Sequence, residues 1–286
     1  MMVARKKHDS ENPNSHVPWS PGGSYKDPIM MRVWPEWAKV TIVMPALNEE
    51  CAVGEHVRTL LDHPTMEMLP VSRIVVVDNG STDATSAVAR AAGAQVVSEP
   101  RRGYGSACLA GVLHAEADDV ILLMDADGSD DVRGAALVAD MVLSGEADVV
   151  VGSRALGRSD PGALLLSQRA GNSVATHLMR MLYGASVTDL GPTRAIRREA
   201  LLALEMSEMT YGWSAEMLVK ATRAGYRVVE VPVDYHSRRG GRSKVSGTAR
   251  GSIRAGWSIL TTILRYARWK PEEGTRDSSI HLGQVV

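Results

Sequence analysis

The chain has 286 residues, 44% of them apolar and 23% charged, with a formal net charge of −1. This is the composition of a folded globular protein, and the charge balance excludes nucleic-acid binding driven by overall charge. No run approaches the ~18 apolar residues of a membrane span and no apolar signal core opens the chain, while Cys51 and Cys108 lack Cys-x-x-Cys spacing, so a reducing cytosol is expected and a zinc site or disulfide framework is not.

Residues 1–37, with HDSENPNSHVPWSPGGSYKDP, are rich in Pro, Ser, Asn and Gly and show no periodicity, which predicts a flexible leader ahead of a domain at 38–250. The apolar run Val40 to Met44, stopped by Pro45, predicts a buried strand feeding a loop, and Ala52 to Leu61 fits a helix. A second β-branched run, RIVVVDNGSTDAT, ends in turn residues, and Thr85 to Ala92 continues as an Ala-rich helix stopped by Gly93. AQVVSE offers a short strand and YGSACLAGVLHAEA a helix. DVILLMDAD and ADVVVGSR read as further buried strands, separated by the helix-like VRGAALVADMVLSG. Strands alternating with helices of this length call for an α/β fold with a mostly parallel sheet covered on both faces. In such sheets ligands bind beyond the carboxyl ends of the strands. The polar residues that close the runs, Asn48 and Glu49, Asp78 to Asp83, and Asp125 to Asp131, are therefore expected on one rim.

MDADGSDD packs Asp125, Asp127, Asp130 and Asp131 into seven positions. One reading is turn chemistry, in which Asp side chains accept from nearby backbone N–H groups. The other is a metal site. Alternate side chains of an extended chain share a face, so Asp125 and Asp127 point together if extended geometry persists through Ala126. Two carboxylates, waters and phosphate oxygens suit an octahedral Mg²⁺ or Mn²⁺, which predicts a phosphate-bearing substrate. No P-loop pattern occurs, no Gly-x-Gly-x-x-Gly follows the first strand, and the glycines of GYGSACLAG are a weak signal.

From Tyr235 to Pro271 the chain has no Asp or Glu but many Arg and Lys, so this stretch seeks anions. Within it, residues 251–270 place Ile253, Trp257, Leu260, Ile263 or Leu264, and Ala267 at helical spacing, with Arg254, Ser258, Thr261, Arg265 and Arg268 on other faces. A basic amphipathic helix of this kind lies on an anionic membrane surface or packs on the catalytic domain or a partner subunit, and both readings stay open. Residues 271–286 read as a flexible tail.

In this order, VMPALNEE, VVVDNGSTDAT, RRGYGSACLAG, MDADGSDD, VVGSR, DLGPTRAIRR, EMLVKATRAGYRVVEVPV and GGRSKVSG resemble the family 2 glycosyltransferases of the GT-A fold, nearest to the branch of dolichyl-phosphate mannose synthases and bacterial polyprenyl-phosphate glycosyltransferases. The resemblance spans about residues 39–250. It implies a GT-A nucleotide-diphospho-sugar transferase fold and a metal-dependent, inverting transfer of a hexose from a UDP- or GDP-sugar to a polyprenyl phosphate, at the cytoplasmic face of a membrane. It puts Pro45, Ala46, Asn48 and Glu49 in the first nucleotide-contacting loop and Asp78 on the nucleobase or ribose. Asp125 and Asp127, flanking Ala126, match the Asp-x-Asp pair, with Asp125 near the ribose and metal and Asp127 ligating the metal that bridges the donor diphosphate. Arg102 and Gly103 face that site. Arg154, Arg194, Arg242, Ser243 and Lys244 fall where phosphate is held. Asn79 stands where many relatives carry a second Asp, so one carboxylate contact becomes an amide contact, and Thr193 departs from an aromatic or larger apolar residue near the acceptor.

A divalent cation with Arg or Lys stabilises the charge that develops on a departing nucleoside diphosphate, so the acidic loop and the basic stretch have complementary jobs. A hydroxyl acceptor needs a general base, for which Asp189 and Glu216 are the candidates, whereas a phosphate acceptor is already ionised. Glu216 has a second reading, as a salt bridge that orients the RSK loop. A soluble acceptor, either a phosphorylated metabolite or a natural-product alcohol, and a non-catalytic nucleotide-sugar-binding module are the competing functions. A homo-oligomer stays open.

Overall fold

Runs that are apolar at every position, such as TIVM and IVVV, are stable only as strands covered on both faces, and the chain builds a three-layer structure around them. The computed structural model describes residues 32–116, 119–240 and 249–271. Strands β1 (Lys39–Ala46), β2 (Val71–Asp78), β3 (Gln95–Ser98), β4 (Asp119–Leu123), β5 (Val149–Ser153), β6 (Arg194–Arg197) and β7 (Val228–Pro232) form one sheet in the order β3-β2-β1-β4-β6-β5-β7. Every pairing is parallel except those of β6, which runs antiparallel to β4 and β5.

The helices are α1 (Val53–Asp62), α2 (Pro64–Glu67), α3 (Thr85–Ala91), α4 (Tyr104–His114), α5 (Val132–Leu143), α6 (Leu166–Tyr183), α7 (Arg198–Ala203), α8 (Trp213–Arg223) and α9 (Ala249–Arg265). Helices α1, α2, α3 and α5 close one face of the sheet, and α4 and α6 to α9 the other. Strand alternation feeds both layers: Val120, Leu122 and Met124 point into the first apolar cluster, Ile121 and Leu123 into the second.

Register brings the strand ends together. Ala46 pairs with Asp78 and Val43 with Leu123, so β1, β2 and β4 finish on one edge. Because β6 runs the other way, the residues that precede it arrive at that same edge. The rim expected from the sequence is thus a single edge of the sheet.

Two boundaries differ from expectation. Residues 1–31 of the expected leader lie outside the described residues, but Arg32 reaches Asp140 at 3.6 Å and also pairs with Glu146, and Trp34 packs on the first apolar cluster. Residues 32–37 are therefore tied to the domain by an ion pair and an indole. The expected helix at 251–270 runs Ala249–Arg265 and continues as a 3-10 turn over Tyr266–Arg268, and it buries Ala255, Thr262 and Ile263 against α6 and α8. Residues 272–286 lie outside the described residues. Among the described residues no helix is long and apolar enough to cross a membrane, and Cys51 and Cys108 are both free.

Candidate active site

Strand β4 stops at Leu123, and the chain turns at Ala126 and Asp127. The extended geometry on which strand alternation would align Asp125 with Asp127 does not persist through Ala126; both residues reach the same cleft from a turn. Asp131 accepts from the amides of Arg133 and Gly134 and caps α5, while Asp127 accepts from Ser129 N at 2.9 Å and Asp130 from Asp125 N at 2.8 Å. Turn chemistry and a ligand corner thus coexist in one loop. Burial, then the Asp130 and Asp127 charges, push the Asp125 carboxyl well above the usual carboxylate range, and burial lifts Asp130 to about 6.

This corner is short of positive charge. No cation contacts the Asp125 carboxylate among the described residues. Asp127 Oδ2 draws in the Arg238 guanidinium at 2.9 Å, whose other nitrogen reaches Glu49 Oε1 at 2.5 Å. The strap that carries Arg238 lies along the acidic loop, with His236 N donating to Ser129 O at 2.8 Å and Arg239 N to Asp127 O at 3.2 Å. Buried carboxylates that recruit a side-chain cation across the fold form a donor set that fits a hard divalent ion. Among the described residues no three His, Cys, Asp or Glu side chains form a closed metal cage, so such an ion needs further oxygens from a ligand.

The neighbouring loops are held by amide and hydroxyl groups. Asn48, at φ 54, accepts from Thr82 N through its side chain, and Glu49 N donates to Thr85 Oγ1 at 2.8 Å. Asp78 is held below its ordinary range: burial opposes its charge, but donors from Ser86, Ser81 and Gly80 outweigh it. Its carboxylate accepts from Ser81 N and Ser86 Oγ in that turn and stays half-buried. Asn79 lines the cleft, donating to Glu99 O and Arg101 O and accepting from Gly103 N, so it shapes the loop that presents Arg102. Gly103 (φ +148) is required there, because a Cβ would lie 2.1 Å from Met209 O.

Pro45, Ala46, Glu49, Asn79, Arg102, Gly103 and Asp125 to Asp127 line one cleft of about 560 Å³. Arg154 and Arg194 also reach it. Arg194 is 1% exposed and donates to the carbonyls of Leu190, Gly191 and Pro192, which holds the turn before β6, while its Nη1 has no partner among the described residues. Arg242, Ser243 and Lys244 lie outside the described residues. A second cavity of about 530 Å³ adjoins through Arg154 and Gln168 and is lined along α6 by Arg169, His177 and Arg180.

Neither candidate base stands free. Asp189 is 2% exposed and accepts from Arg154 Nε at 2.8 Å, Nη2 at 2.9 Å and the backbone amide at 2.9 Å. Glu216 is fully buried and does not line the cleft. It pairs with Lys220 Nζ at 2.8 Å and accepts from Ser207 and Glu208, and Lys220 in turn donates to the carbonyls of Leu204 and Glu205. Burial opposes the Glu216 charge, yet these donors hold its pKa below the ordinary range. Its partner is Lys220, four residues on, and the group it fixes is the 204–208 loop; the RSK loop lies outside the described residues.

The model of the family described as "Glycosyl transferase family 2" matches residues 41–204. An uncharacterized glycosyltransferase of Mycobacterium tuberculosis (strain H37Rv) is 44% identical over 229 residues, 78% of this chain and 98% of that relative. The chain belongs to glycosyl transferase family 2. The dolichyl-phosphate hexose transferase of Haloferax volcanii is 36% identical over 226 residues, 79% of this chain and 94% of its own. The glucosyl-3-phosphoglycerate synthase of M. tuberculosis, solved with Mn²⁺, UDP and phosphoglyceric acid, shares the fold at a TM-score of 0.62 and 22% identity, covering 82% of this chain and 80% of that one. This glycosyltransferase has the mostly parallel, helix-flanked sheet of the GT-A fold.

The sequence reading gave no role at the transferase's cleft to two residues that line it, Arg238 and Tyr235. Arg238 is separated from Glu49 by 189 positions, and no local pattern pairs them. Tyr235 stacks on Arg154, with 5.1 Å from the guanidinium carbon to the ring centroid. Asp130 was visible as a carboxylate, but its fold back onto the Asp125 amide needs the turn.

Proposed function

We propose that this glycosyltransferase moves a hexose from a nucleoside-diphosphate sugar to a phosphorylated acceptor, a polyprenyl phosphate, with inversion at the anomeric carbon. The carboxylate corner supports the donor half of this reading. Asp125 and Asp127 would hold Mg²⁺ or Mn²⁺, which when bound supplies positive charge to the donor diphosphate. Pro45, Ala46, Glu49 and Asn79 shape the wall that receives the nucleoside, and Arg102 brings a cation to the same cleft.

The single observation that favours a phosphate acceptor is the commitment of Asp189 and Glu216 to Arg154 and Lys220. A carboxylate already locked to a buried cation is a poor proton acceptor, and a phosphate nucleophile needs none. A polyprenyl chain also holds its acceptor at a bilayer, so this reading requires work at a membrane surface. The Haloferax relative's name supports a lipid-linked acceptor.

The second reading is a soluble phosphorylated acceptor, favoured by the cavity along α6 with Arg169, His177 and Arg180. The experiment supplies UDP-glucose or GDP-mannose with Mn²⁺ and either short polyprenyl phosphates or phosphorylated small acids. Lipid-linked product is expected; product only with the small acids selects the second reading, and no product with any donor contradicts both.

A further inference from the structure

Helices α6 and α9 pack on each other, with Tyr183 donating its hydroxyl to Ile263 O. Neither contains an Asp or Glu: the acid-free stretches run from 161 to 188 and from 235 to 271. Each also has an apolar stripe facing away from the core. On α9, Ile253 and Trp257 are 72% and 71% exposed and Leu264 continues their line at helical spacing, while Ile263 fills the core side. On α6, Leu166, Val174 and Met181 stand exposed. The amphipathic helix expected from the sequence therefore has two apolar faces, only one of which packs on the domain.

We propose that α6 and α9 together form a docking face for an anionic lipid bilayer. Cationic flanks beside apolar stripes match a surface with negative headgroups over an acyl layer. A second copy of the chain is the poorer occupant. Apposed about a twofold axis, the face would set Arg180 and Arg254, and Arg268 just beyond α9, against cations with no carboxylate on either helix to answer them, while Arg265 already has Glu208 Oε2 at 4.0 Å. Position supports the lipid as well, because Arg254, Ala255, Ser258 and Ile259 of α9 line the donor cleft, so the helix that meets the headgroups also borders the reaction site. The proposal deepens the lipid-phosphate reading and rests on it for its purpose, but docking itself does not depend on turnover.

The test is co-sedimentation of the full chain with phosphatidylcholine vesicles, with and without phosphatidylglycerol. The wild type is expected to pellet with the anionic vesicles and stay in the supernatant with the neutral ones. The double variant Trp257→Ser, Leu264→Ser is expected to bind about tenfold more weakly, and Arg268→Glu to lose binding in the same direction, with far-UV circular dichroism and melting temperature unchanged. Wild-type protein left in the supernatant with both vesicles, or variants that pellet like wild type, would overturn the proposal. So would a wild-type dimer that the serine variant converts to monomer, since a second copy then covers the face. Transfer to a detergent-dispersed polyprenyl phosphate, assayed without vesicles, reports on the acceptor separately: binding without transfer upholds docking and rejects the lipid acceptor.

Discussion

The same side chain does opposite work in the two halves of the sheet. At the ends of β1 and β4, among the described residues, Asp125 has no cation in contact and Asp127 meets Arg238 alone, on a strap from much later in the chain. Beyond β5 and on α8, Asp189 and Glu216 are each saturated by an arginine or lysine and by backbone amides. A buried carboxylate whose cation is built into the fold fixes the scaffold, whereas one left short of charge is free to recruit a cation with its ligand.

The largest effect expected from this contrast is on chemistry. Asp127→Ala is expected to cut kcat/KM by about 10³-fold or more while leaving the melting temperature near wild type, read by steady-state kinetics beside calorimetry. Near-wild-type turnover would place Asp127 among the scaffold carboxylates.

Glu216→Gln tests the other side. It leaves Lys220 charged and buried without its partner, so stability is expected to fall by about 3–4 kcal/mol in urea titration, with KM for the donor unchanged. A selective loss of kcat at unchanged stability would return Glu216 to the reaction.

A third effect comes from below the donor rim. His56 is buried in α1, and neither ring nitrogen has a partner among the described residues. Burial pulls its pKa down from 6.5 to about 4, with the Asp127 charge acting the other way and Arg239 adding to the fall. The folded chain thus binds fewer protons there than the unfolded chain. The stability due to the neutral ring is complete above pH 6.5 and is lost as the pH falls towards 4, a loss of about 3 kcal/mol. His56→Leu is expected to flatten that part of the stability profile, and an unchanged profile would show that other groups dominate it. Asn79→Ala, which removes three hydrogen bonds to the 99–103 loop, is expected to cost about 2 kcal/mol and to raise the donor KM, sharpening the role of amides in a rim otherwise built from acids.

Local patterns carried the donor half. The runs TIVM, IVVV and VILLM demand buried strands, their polar ends demand a shared edge, and the Asp-x-Asp pair lines one cleft although a turn rather than a strand carries it. The other half depends on pairings that no window contains: Arg154 with Asp189 across 35 positions, and Arg238 with Glu49 across 189. Of the two readings of Glu216, the salt bridge is the one with a local signal, since Lys220 stands at i+4 on α8, the spacing at which such pairs form. The two apolar faces of α9 are a subtler case. Helical spacing places Ile263 and Leu264 on adjacent lines, and only the packing of α6 and α8 decides which line is core.

The central claim is that the corner made by Asp125 and Asp127 holds a divalent cation against a donor diphosphate. Diffraction at the manganese absorption edge, from crystals soaked with Mn²⁺ and UDP or GDP, tests it most directly. The account predicts one anomalous peak in contact with Asp127, diphosphate oxygens beside it and Arg238 moved off the carboxylate. A nucleotide bound with no peak at that corner, or with the metal held elsewhere, would contradict it.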